Sequence, residues 1–494
     1  MASKKPGRVV REYNDEALAI NARHVHFDWS GVPLEYIPGE AYATHFWNVM
    51  HLVLPEGERA MADVFGQALP YIDDERLKEE VIGFVGQDGK AQAGVELGEN
   101  DCVIGVNGQE VYQRGADGVR IPGSTVTSVE AKNGGTLKLT LDSDLQWYTQ
   151  QVLADRVDQF GAKWGIAVVQ EVKTGKLLAV ADYPSVDSNN VNGSVAANRG
   201  SRAFQAPYEP GSTMKPITAA SLVEAGTANP DSQVVAPNTF TFPNGAEVSD
   251  ATYHPVYPLT LTGVLERSSN VGITRLGENL SPDKRYAFMK SFGLGQDTGV
   301  GFPAESSGIL SNYKNWDNQT YYNVMFGQGF AATAIQMTGA YQTLGNKGVK
   351  LAPRLVESCT SPEGKVTTPE LAAPVQVLSE KTAQTTVNMM ENFVTQGWIG
   401  SYVAVPGYRV AMKTGTAEQV DESGRYSNQF IVSNMGVFPA EDPQYAISVI
   451  IASPRHSDTS IVCPPVFKDI ITQVIKRYRV QPTTSQTPVM AIRF

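Results

Sequence analysis

Long apolar runs are missing from this sequence. The most apolar early stretch, "HFWNVMHLVL", is broken by Asn48 and His51 and is far shorter than the roughly 20 residues a membrane-spanning helix needs. The basic opening "MASKKPGRVVREYNDEALAI" is followed by no apolar core, so no secretory signal is read there. Positive charge is also short. Forty Lys and Arg against 51 Asp and Glu leave a net charge of -11, which excludes a phosphate-tracking nucleic-acid surface. Only three cysteines occur, Cys102, Cys359 and Cys463, and they fit no metal or CxxC spacing, so they are read as isolated thiols. The six histidines form no HExxH pattern, and "HVH" at 24–26 reads as a surface loop, so no metal site is expected. There is no internal repeat and no low-complexity tract.

What remains is ordinary globular composition, 42% apolar and 18% charged over 494 residues, enough for two to four domains. Residues 1–80 read as loop followed by helix, with a break at Pro55-Glu56-Gly57. From Val81 to about Leu141 the texture turns to short strand-like runs separated by turns such as "VNGQ" and "KNGG". A helix follows from "TLDSDLQ", with Asp142 or Ser143 as its cap. "WGIAVVQEVKTGKLLAVADYP" predicts a hairpin turning at Thr174-Gly175, and a mostly helical middle runs to about residue 400. Strands return in "YRVAMKTGT", "NQFIVSNMGVF" and "YAISVII", before a last helix and a polar tail over 481–494. Strands from both ends with helices between predict an α+β fold whose termini build one antiparallel sheet.

Three short motifs carry chemistry. In "YEPGSTMKPITAASLVEAG", Ser212 and Lys215 stand at i and i+3 of a helix start, on one face. A serine hydroxyl needs a neighbouring base to become a nucleophile, and a desolvated lysine can be that base. Taken alone the pattern is weak, and a surface helix with Ser212 as its N-cap explains it equally. "ERSSNVG" supplies Ser268 and Asn270 as S-x-N, although "SNN" at 188–190 matches the same pattern. "AMKTGTA" supplies Lys413, Thr414, Gly415 and Thr416, against the decoy "VKTGK" at 172–176. The decoy lies in the hairpin turn and should face solvent. The second copy should end an apolar strand, with Gly415 admitting another backbone.

The order S-x-x-K, S-x-N, K-T-G is that of penicillin-binding proteins and serine β-lactamases. With "RGADGVRIPGS", "LTLDSDLQ", "GLGQDTGVGFPAESSG" and "MFGQGFAATAIQMTGAY", residues 81–478 resemble a class B penicillin-binding protein of actinobacterial septal type. The resemblance implies a penicillin-binding, β-lactamase-like domain over 142–480, with a sheet flanked by helices, after a partial pedestal over 81–141. It implies a D,D-transpeptidase in which Ser212 forms an acyl-enzyme with D-Ala–D-Ala stem peptides and Lys215 is the base. Ser268 would relay a proton and Asn270 orient the substrate amide. Lys413, Thr414 and Thr416 would hold the terminal carboxylate, and the N–H groups of Ser212 and Thr416 would form the oxyanion hole. No metal or organic cofactor is implied. The implied partners are peptidoglycan stem peptides, β-lactams, a septal glycosyltransferase and other divisome proteins, at the outer face of the cytoplasmic membrane.

Two other activities compete with this reading. A serine β-lactamase uses the same motifs but is complete in about 260 residues, without a β-rich module ahead of it. A divisome scaffold without turnover would not need an intact motif set. The N-terminal part resembles something else: "VPLEYIPGEAYATHFWNVMHLVLPEGERAMADVFGQALPYIDDERLKEEVIGFVGQ" is similar to the opening of a family of predicted metal-dependent hydrolases with helical, ferritin-like folds. Of that family's ligands Glu58 is present, but the expected E-x-x-H places Asp88 and Ala91 instead, and its later helices are missing. A class B protein is expected to begin with a cytoplasmic tail, a membrane helix and an RGxIxDRxG-like segment. None is read here, which leaves two explanations: a join of two sequences near "VIGFVGQ", or export that depends on a signal not visible in the sequence. Residues 1–80 are expected to be an incomplete helical fragment.

Overall fold

A computed structural model describes residues 81–494 except 87–88, 117–118, 187, 189–190, 421–425 and 456–460. The expectations for 1–80, including Glu58 and the first four histidines, lie outside the described residues, as do Asp88 and the asparagines of the "SNN" decoy.

A five-stranded antiparallel sheet organises the chain. Its strands are β1 (Trp164–Glu171), β2 (Leu177–Tyr183), β3 (Ala411–Val420), β4 (Tyr426–Phe438) and β5 (Tyr445–Ala452), in the order β3-β4-β5-β1-β2. Strands from the two ends of the domain meet where β5 pairs with β1, Ile450 opposite Ile166, as the sequence predicts. Every residue of β5 is buried, which explains why "YAISVIIA" shows no apolar–polar alternation. Helices cover both faces, so alternate positions enter two separate cores. Ile166 and Val168 point into one, while Ala167 and Val169 point into the other.

The helices that matter here are α1 (Ser143–Gln159), α2 (Lys215–Glu224), α3 (Leu261–Arg267), α4 (Asn270–Gly277), α5 (Ala334–Gly345), α6 (Glu380–Gln396) and α7 (Cys463–Tyr478). Asp142 caps α1 through Oδ1, which accepts from the Leu145 amide at 3.1 Å. Its Oδ2 accepts from Arg477 and Tyr478 at the end of α7, so one carboxylate joins the two helices. The expected hairpin is present, with Gly175 at φ +75° in its turn. The middle is less helical than expected. Hairpins pair Gln233–Ala236 with Tyr257–Thr260 and Thr239–Thr241 with Glu247–Ser249.

Two expectations are corrected. The cysteines are not all isolated thiols: Cys102 and Cys359 form a disulfide across 257 residues of sequence. Spacing carried no sign of it, because the two meet only when strand Thr136–Leu139 pairs with Val356–Thr360. Gly135 makes the approach possible, since a Cβ there would come within 2.8 Å of the Cys102 carbonyl oxygen and 2.5 Å of that of Thr360. Cys463 is the free, buried thiol and donates to the Val432 carbonyl at 3.3 Å. The K-T-G motif, expected to end its strand, lies inside β3, which runs on to Val420.

The polar tail is polar but bound. Arg409 Nη1 donates to Ser485 Oγ at 2.6 Å, Met490 N donates to Asn392 Oδ1 at 3.0 Å, and Thr260 N donates to the Ile492 carbonyl at 3.3 Å. At the other end the expected seam is already paired. Val95 and Glu96 amides donate to the Val81 and Ile82 carbonyls, and Phe84–Val85 pairs with Ala91–Ala93. Among the described residues, no helix is long and apolar enough to cross a membrane.

Candidate active site

The three motifs come together. Ser212 sits in a single 3₁₀ turn, Gly211–Met214, and Lys215 opens α2 immediately after it. Ser212 caps nothing with its side chain, so the surface-helix explanation fails. Residues Lys215 to Leu222 of α2 are buried on every side, beyond the single apolar stripe the sequence suggests. The decoy behaves as expected, with Lys173 solvent-exposed and paired to Asp442 at 3.2 Å.

Lys215 is fully buried, and its Nζ lies 2.7 Å from Ser212 Oγ, 2.7 Å from the Ser268 carbonyl, 2.6 Å from Asn270 Oδ1 and 3.3 Å from Ser268 Oγ. Two of these partners, the carbonyl and the amide oxygen, can only accept. A neutral amine has two N–H groups for them and one lone pair, which then faces the Ser212 hydroxyl. Burial pushes the Lys215 ammonium down to about 7, against the opposing pull of Asp250. The group is thus shaped as a base.

Ser268 closes α3 in the left-handed region at φ 56°, a conformation that costs a non-glycine residue about 1–2 kcal/mol. The strain turns its carbonyl onto Lys215 while its hydroxyl receives Lys413 Nζ at 2.9 Å. Asn270 starts α4. Its Nδ2 donates to the Ser249 carbonyl at 2.8 Å, which fixes the amide so that Oδ1 faces Lys215. Lys413 is fully buried, bonded also to the Thr414 carbonyl at 3.0 Å and 4.4 Å from the Phe393 ring centroid. Burial lowers its ammonium well below the usual lysine range, with Lys215 adding to the effect and Glu266 opposing it.

Gly415 brings β3 against the serine turn. A Cβ there would meet Ser433 Oγ at 2.5 Å and the Pro210 carbonyl oxygen at 2.8 Å; one on Gly211, at φ +58°, would meet the Thr416 carbonyl oxygen at 2.7 Å. The backbones of Ser212 and Thr416 are therefore neighbours. Thr414 is half-buried and Thr416 exposed.

With that geometry in place, comparison with known proteins is direct. The model of the penicillin binding protein transpeptidase domain matches residues 165–472. Penicillin-binding protein PbpB of Mycolicibacterium smegmatis is 34% identical, over 88% of this chain and 70% of its own length. The chain belongs to the class B penicillin-binding proteins. Peptidoglycan D,D-transpeptidase FtsI of Escherichia coli is 30% identical, over 84% of this chain and 68% of its own. The crystal structure of penicillin binding protein 3 from Mycobacterium tuberculosis complexed with aztreonam aligns at a TM-score of 0.74 and 33% identity, covering 83% of this chain and 90% of that one. A second family model, described as a predicted metal-dependent hydrolase, matches residues 21–90. That match agrees with the resemblance read from the sequence at the same end.

In this penicillin-binding protein several site residues carried no signal of their own. Asp250 and Ser249 brace the S-x-N turn, Phe393 lies beside Lys413, and Glu266 acts on Lys413 from α3. Each is a single residue on an element distant in sequence from the motif it serves. Only the folded arrangement reveals it.

Proposed function

We propose that Ser212 is the acylated nucleophile of a peptidoglycan D,D-transpeptidase acting in division-linked wall synthesis. The observation that carries this is the buried Lys215 amine, held by two obligate acceptors with Ser212 Oγ at 2.7 Å. Ser212 Oγ attacks the carbonyl carbon of the penultimate D-alanine and passes its proton to Lys215 Nζ. The oxyanion is received by the N–H groups of Ser212 and Thr416, whose adjacency supports that role. As the C–N bond breaks, Ser268 Oγ hands a proton to the departing D-alanine amine; its contacts with both lysines suit a relay. Asn270 Nδ2 keeps one N–H beyond Ser249 for the substrate amide. Lys413, Thr414 and Thr416 receive the terminal carboxylate. An amine from a neighbouring stem peptide then attacks the ester and frees Ser212. A β-lactam follows the first half of the path, and its tethered leaving group blocks the second.

Fluorescent penicillin should label the wild type covalently and leave Ser212→Ala unlabelled at an unchanged melting temperature. Rapid nitrocefin turnover would instead favour the β-lactamase reading, and an unlabelled wild type the scaffold. We also infer a septal role at the outer face of the cytoplasmic membrane, with a glycosyltransferase and divisome proteins as partners; the likeness to PbpB and to the D,D-transpeptidase FtsI supports the transpeptidase part of that reading. The domain division stands as a proposal too: 81–141 pedestal, 142–480 transpeptidase, 481–494 tail. Limited proteolysis near residue 80 should leave a core that still takes up penicillin.

A further inference from the structure

Behind the S-x-N turn lies a carboxylate that the mechanism above does not use. Asp250 follows the strand Glu247–Ser249, and its side chain is 7% exposed. Oδ1 accepts from the Val271 amide at 2.9 Å, and Oδ2 accepts from Ser269 Oγ at 2.7 Å. His254 Nε2 lies 2.8 Å from the same Oδ2, and its ring stacks on Tyr257 at 4.3 Å, nearly parallel. Ser269 in turn caps α4 through the Gly272 amide at 2.8 Å. The residue just before Asp250, Ser249, gives its carbonyl to Asn270. Two consecutive residues thus hold both sides of the turn that presents Ser268 and Asn270 to Lys215.

We infer that Asp250, backed by His254, is a positioning residue for acylation: it seats the Ser268–Asn270 turn against Lys215 and sets a negative charge behind that turn.

Both lysines are fully buried, and each leans on Ser268 Oγ. Burial of both lysines in one pocket disfavours their charged forms, and a proton held on either is stabilised by a counter-charge nearby. Asp250 acts on Lys215, and Glu266 acts on Lys413. Glu266 is itself paired with Arg267 at 2.9 Å. Arg267 and Arg493 lie 5.7 and 5.3 Å from the centroid of the Tyr257 ring on which His254 stacks. Asp250 raises the Lys215 ammonium against the lowering by burial, so removing its charge lets Lys215 fall further. Lys215 must be neutral to accept the Ser212 proton, so acylation fails on the acid side of its titration. Without Asp250 that acid limb moves to lower pH. A residue with only a structural role would change the rate at all pH values and leave the limb in place.

The inference rests on Lys215 being the base, and the test separates the two. Second-order acylation of the full chain by fluorescent penicillin is followed from pH 5 to 9, with melting temperatures alongside. Lys215→Ala should abolish acylation; if it keeps the wild-type rate and acid limb, the base assignment falls, whatever Asp250 does. Asp250→Asn is nearly isosteric, and its amide can still accept from Val271 while Ser269 turns its hydroxyl. Its acid limb should move down by about half to one pH unit, as losing one nearby charge implies. A limb that stays put, whether or not the plateau falls, overturns the inference. Asp250→Glu keeps the charge and displaces the brace. Its limb should match wild type while the plateau drops about tenfold or more, and a wild-type plateau would overturn the positioning role. This second variant decides the matter even if Asp250→Asn does not fold.

Discussion

At the residue scale, the site is built from groups that each cost stability. Lys413 shows the sign clearly. Burial and its neighbour Lys215 hold its folded-state titration below that of an unfolded lysine. At pH 7–8 the unfolded chain binds that proton more tightly than the folded one, so folding is penalised. The penalty is absent above the unfolded lysine pKa and sets in as pH falls through that value. Lys413→Met removes the charge while keeping the volume. It should raise the melting temperature near neutral pH and lower penicillin acylation by about 10²-fold or more. A variant that melts lower and acylates normally would show the lysine to be structural. The motif residues were legible because each motif packs its chemistry into three or four consecutive positions. Asp250, Glu266 and Phe393 were not, since their roles come from packing between remote elements.

At the scale of elements, the catalytic geometry depends on how closely β3 approaches the turn before α2. Gly415→Ala would place a methyl against Ser433 Oγ at 2.5 Å and the Pro210 carbonyl at 2.8 Å. The serine hydroxyl can rotate away; the carbonyl belongs to the turn that carries Ser212 and must shift. Destabilisation of about 1–3 kcal/mol is expected from such overpacking. Because a shift of about 1 Å at a reacting group costs about 10²-fold, acylation should fall by more than stability alone explains. Parallel denaturant melts and acylation rates will separate the two losses. This element was half-readable in advance. Gly415 was correctly read as a point of close approach, but glycine also suggests a break, and so the strand was expected to stop where it continues to Val420. The sheet's other strands were plain, since β1, β4 and β5 are apolar runs set off by turn residues.

At the scale of the whole molecule, the Cys102–Cys359 bond ties the region ahead of the sheet to the strand at Val356–Thr360. Closing a loop of 257 residues removes denatured-state entropy worth about 5–6 kcal/mol in the chain-entropy picture. Reduction, or Cys102→Ser with Cys359→Ser, should therefore lower the melting temperature. Penicillin labelling below the melt should persist, because neither cysteine lies on an element that supplies a site residue. Loss of labelling at full stability would link the two regions in a way not described above. The pairing was illegible from spacing, as was the hold on the polar tail, whose backbone partners lie on α6 and ahead of α3.

The three thiols also bear on the order of assembly. Each cysteine has two possible mates, and only one of the three pairings is native. Cys463 is withdrawn from the choice by being buried at the start of α7, where burial raises its thiol far above the reactive range. That protection exists only once α7 has docked on the sheet. A correct crosslink is therefore expected to come late, after the core has closed. A chain oxidised early, before its last helix is in place, should be the one that goes astray. Alkylation-quenched refolding resolved by mass should show Cys463-linked species only when oxidant is present from the start.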